Sequence, residues 1–104
     1  MNRPQTVEEY VELIRQAFTE TEELRSCLEY DLEELDRFPA FLDPMEEGVR
    51  ALYASMLAGT YQWGREDLPF MTIVRRHEVD IPFVQLLEIL NDTHQRGLDV
   101  AVDD

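Results

Sequence analysis

The sequence predicts an all-α fold, an irregular bundle of three to four helices with a long first helix that either kinks or projects. Three observations carry this. Apolar residues recur at alternating steps of three and four, helix-starting signals precede those stripes, and 44% hydrophobic residues in 104 supply a core for one domain. The domain is expected to span residues 1–97, followed by a flexible acidic tail at 98–104.

Thr6 followed by Glu9 reads as a capping box. It opens a stripe of Tyr10, Val11, Ile14, Ala17, Phe18, Thr21, Leu24, Leu28, Leu32 and Leu35, with acids mostly on the other faces. A straight helix over 7–37 would be about 46 Å long at 1.5 Å per residue, against roughly 34 Å across a compact domain of this size. Either a second capping box, Thr19 with Glu22, breaks it, or the excess length is buried on another chain, which makes a homodimer one expectation.

Pro39 ends the first helix, and Asp43-Pro44 reads as the N-cap and first position of the second. Met45, Val49, Leu52, Tyr53, Met56 and Thr60 form its apolar face beside a small-residue row of Ala51, Ser55 and Gly59, and Gly64 is expected to cap it. Asp67-Leu68-Pro69-Phe70 and Asp80-Ile81-Pro82-Phe83 repeat one helix-starting signal, so a third helix is expected over 68–77 and a fourth over 81–96, closed by Arg96-Gly97.

The charge narrows the function. There are 23 acids against nine cations, every cation is arginine, and the formal net charge is -14. No lysine is available for a Schiff base or a phosphate loop. The acidic field repels phosphate backbones and anionic membrane surfaces, so neither nucleic acid nor membrane is an expected partner. The opening residues contain no apolar signal segment, and a single Cys27 cannot close an internal disulfide, which together suggest a reducing cytoplasm; a bacterial origin is a further expectation.

Candidate chemistry is sparse. Residues 68–94 have a helix-turn-helix outline, but the second helix carries no cation before Arg96. Arg75, Arg76 and His77 suit the C-terminal end of a helix. His77 and His94 would need a convergent acid to bind a metal, and the residues three before them, Val74 and Asn91, do not make the di-iron pattern. Cys27 has no thiol partner.

The sharpest feature is a run of five acids, Glu29, Asp31, Glu33, Glu34 and Asp36. Residues 1–47 hold 14 acids against four arginines, so charge is polarised along the chain. Trp63, if partly exposed, would mark a binding hot spot. These residues point to a non-enzymatic interaction module, an adaptor, accessory factor or inhibitor that docks on a basic protein surface without a cofactor. A DNA mimic or immunity-type inhibitor of a nucleic-acid enzyme or toxin is a narrower form. A metal-binding or ligand-sensing bundle is the alternative of another class.

Overall fold

The computed structural model describes residues 3–30 and 39–98, and the following statements concern those residues. Four α-helices follow one another without strands: α1 Val7–Tyr30, α2 Leu42–Ala58, α3 Met71–Arg76 and α4 Val84–Arg96, with a 3-10 turn at Glu78–Asp80 between the last two. The molecule is an all-α bundle in which α1 packs on α2 and α4, while α3 packs on α2 and α4.

The N-terminal cap of α1 forms as the sequence predicts. The Glu9 amide donates to Thr6 Oγ1 at 3.1 Å, and the Glu9 carboxylate accepts from the amides of Gln5 and Thr6 at 2.7 and 3.2 Å. Of the two alternatives for this helix, the break at residues 19–22 does not occur. Ala17 and Thr21 are both fully buried, and the Thr21 hydroxyl donates back to the Ala17 carbonyl at 2.7 Å, so a polar residue sits in the apolar seam with its donor satisfied. The 24 residues of α1 make a continuous helix of about 36 Å. Residues 31–37, which complete the expected helix, lie outside the described residues.

Asp43 is not the N-cap of α2. A turn from Pro39, in which the Leu42 amide donates to the Pro39 carbonyl at 3.1 Å, winds the chain early, so the helix begins at Leu42 behind Phe41. Asp43 then falls in the first turn, where its carboxylate accepts from Arg25 at 2.6 Å, and the same guanidinium reaches Glu46 at 2.7 Å. Arg25 thus ties α1 to the start of α2. At the other end Gly59, not Gly64, is the cap: its φ of 72° is left-handed, and the Thr60 amide turns back to the Ser55 carbonyl at 3.0 Å.

The two Asp-x-Pro-Phe signals act alike, but each helix starts three residues later than the sequence suggests. In both, Pro-Phe forms a turn and the helix starts after the phenylalanine. The apolar pairs Leu68 with Phe70 and Ile81 with Phe83 are all buried, so burial rather than an Asp cap sets where α3 and α4 begin. Asp67 is instead a clasp. Its carboxylate accepts from Arg75, from the Asn91 amide at 2.9 Å and from Gln95 at 3.0 Å, while Asn91 Oδ1 accepts the Leu68 amide at 2.7 Å. Arg75 first, then Asn91, hold that carboxyl below the usual carboxylate range.

One core unites these elements. Tyr10 and Ile14 of α1, Leu42, Met45 and Val49 of α2, Met71 and Val74 of α3, and Leu87 and Leu90 of α4 are buried in it. Burying each such side chain stabilises the fold by roughly 1.5–3 kcal/mol. Leu98, the first residue of the expected tail, packs against the core, and residues 99–104 lie outside the described residues.

Candidate interaction surfaces

The outward half of α1 is acidic because the seam of Tyr10, Ile14, Ala17 and Thr21 fixes which half faces the core. Glu8, Glu9, Glu12, Glu20, Glu22, Glu23 and Glu29 are all exposed. Glu9 is used by the cap and Glu12 by Arg15. The others have no ion pair among the described residues.

The reason lies in where the arginines go. Arg3, Arg25, Arg50, Arg75 and Arg96 each lie within 3.8 Å of a carboxylate oxygen, and all those carboxylates belong to α2, α4 or the segment before α3. These five cations pair with carboxylates outside α1, and Glu12, held by Arg15, is the one α1 carboxylate in an ion pair among the described residues. Of the acidic run singled out from the sequence, Glu29 stands exposed on the last turn of α1, and Asp31, Glu33, Glu34 and Asp36 lie outside the described residues.

Trp63 is not part of that face. It is 42% exposed in the linker after α2, with its ring 5.1 Å from Tyr10 and edge-on to Tyr61 at 5.0 Å. The indole is therefore held on one side and open on the other. Tyr10 reaches through the core to donate its hydroxyl to the Leu90 carbonyl at 3.0 Å. Tyr61 bonds the Nδ1 of His94, so these residues lock the linker onto α1 and α4. Burial raises both tyrosines above the ordinary phenol range and lowers His94 below the ordinary imidazole range.

His77 and His94 do not converge. His77 stacks on Phe41 at 5.3 Å and lines a cavity with Leu24 and Leu28, while His94 joins the Tyr10 end of α1 through Tyr61. Tyr10 and Leu24 are about 21 Å apart along the helix. Among the described residues no three His, Cys, Asp or Glu side chains are placed to hold a metal ion, and no helix is long and apolar enough to cross a membrane. Cys27 is exposed on α1.

The remaining feature is an apolar groove between α2 and the turn before α3, bounded by Leu52, Leu68, Pro69 and Phe70 and ending at Tyr61 and His94. Residue spacing shows neither this groove nor the Tyr61–His94 contact. The one available signal was Tyr10, a hydroxyl in a core position that needs a buried partner. No protein-family model, curated protein or solved structure matches the chain.

Proposed function

We propose that this chain is a cytoplasmic, non-enzymatic interaction module whose acidic first helix docks on a basic protein surface. One observation carries the reading: Glu8, Glu20, Glu22, Glu23 and Glu29 stand exposed on α1 without an ion pair among the described residues, while Arg3, Arg25, Arg50, Arg75 and Arg96 pair with carboxylates outside α1. A solvated face of unpaired acids attracts cations at long range and orders an encounter before contact.

Capture from the native host's lysate tests it, with the wild type beside Glu22→Arg, Glu23→Arg and Glu29→Arg combined. These positions are exposed, so the fold persists. A specific partner should be retained by the wild type, weakened at least tenfold by the reversal, and released by high salt, which shortens the screening length from about 10 Å at 0.1 M to about 3 Å at 1 M. A partner held equally by both proteins would sink the proposal. The DNA-mimic or immunity-type form rests on the same face and adds one demand, that the partner be a nucleic-acid enzyme or toxin and that DNA compete for it.

A further inference from the structure

The apolar groove beside α2 has a volume of about 370 Å³, within the size range of a site for a side chain or small ligand. Leu52, Leu68 and Phe70 line it and are themselves buried, so they are set by the core and not by the groove's occupant. Phe70 sits so close to Gly48 that a Cβ there would lie 2.6 Å from its ring, which fixes the wall by backbone approach.

The charge at the rim selects among occupants. Glu47 lines the groove, is exposed and has no ion pair among the described residues, whereas its neighbour Glu46 is taken by Arg25 and Arg50. No arginine lines the groove. A second copy of this chain would bring its own acids, at a net charge of -14, toward Glu47. A neutral ligand would gain no attraction from that carboxylate.

We propose that the groove receives an apolar side chain from a basic peptide segment of the docking partner, with a lysine or arginine of that segment placed over Glu47. This rests on the reading of the chain as a module for basic partners, and adds an apolar anchor to it. Such an anchor supplies the specificity that long-range charge alone does not.

The test titrates the full chain with two synthetic amphipathic peptides of equal charge, one of leucine and lysine and one of serine and lysine. Trp63 fluorescence and amide NMR shifts are the readouts. The leucine peptide should bind at least tenfold tighter and shift Ala51, Leu52, Tyr61 and Phe70. Ala51→Phe, which fills the groove from an exposed position, should abolish that preference, and Glu47→Arg should weaken the leucine peptide several-fold. Equal binding of the two peptides, a preference that survives Ala51→Phe, or equal binding of an uncharged leucine amide would overturn the proposal. So would a dimer of this chain that Ala51→Phe dissociates. Reversal of Glu22, Glu23 and Glu29 should weaken both peptides and keep their ratio; if it weakens neither while the ratio persists, the acidic-helix reading fails and the groove stands.

Discussion

His94 illustrates how a single side chain gains a pH signature from its place in the fold. Its Nδ1 faces the Tyr61 hydroxyl, whose proton burial retains, so the neutral imidazole is the matching acceptor. Burial lowers the His94 pKa below its ordinary 6.5, so between the folded and unfolded values the unfolded chain binds more protons. The stability His94 contributes is therefore complete above about 6.5 and is lost as pH falls through the lower folded value. Urea midpoints should fall between about pH 7 and pH 5 in the wild type, and His94→Gln should flatten that part of the profile. The carboxyl of Asp67, held low by Arg75 and Asn91, adds a loss in the same direction only at more acidic pH. An NMR titration in which the His94 ring changes above 6.5 would contradict this assignment.

At the scale of elements, the two helix starts behave differently and can be told apart by mutation. Thr6→Ala removes a side-chain cap that bonds the Glu9 amide and should destabilise the protein by about 1 kcal/mol. Asp43→Ala removes no cap, only an exposed arm of the Arg25 pair, and should cost a few tenths of a kcal/mol. Denaturant midpoints of the two variants check the contrast. The first start was legible because all its parts lie within four residues. The second was not, since the turn from Pro39 and the burial of Phe41 and Leu42 decide it, and Asp43-Pro44 is an equally good first turn as a cap. The same distinction holds for the site. The excess of acids on α1 is visible in sequence, but which acids stay unpaired depends on where the arginines land. Likewise one wall of the groove is set where Gly48 meets Phe70 across the fold.

For the whole molecule, a net charge of -14 on 104 residues means that folding gathers like charges. Because most acids of α1 have no ion pair among the described residues, added salt should screen more repulsion than attraction. The thermal midpoint at neutral pH should therefore rise with sodium chloride. A midpoint that falls with salt would mean that the ion pairs around Arg25 and Asp67 outweigh the bare face. The continuity of α1 also makes the molecule a ruler. Its single Trp63 rests on Tyr10 near one end, and its single Cys27 lies exposed near the other, about 26 Å further along the helix axis. Energy transfer from the indole to an acceptor coupled at that thiol reports the length of the acidic face directly, and a change in its efficiency would reveal a helix that bends when occupied.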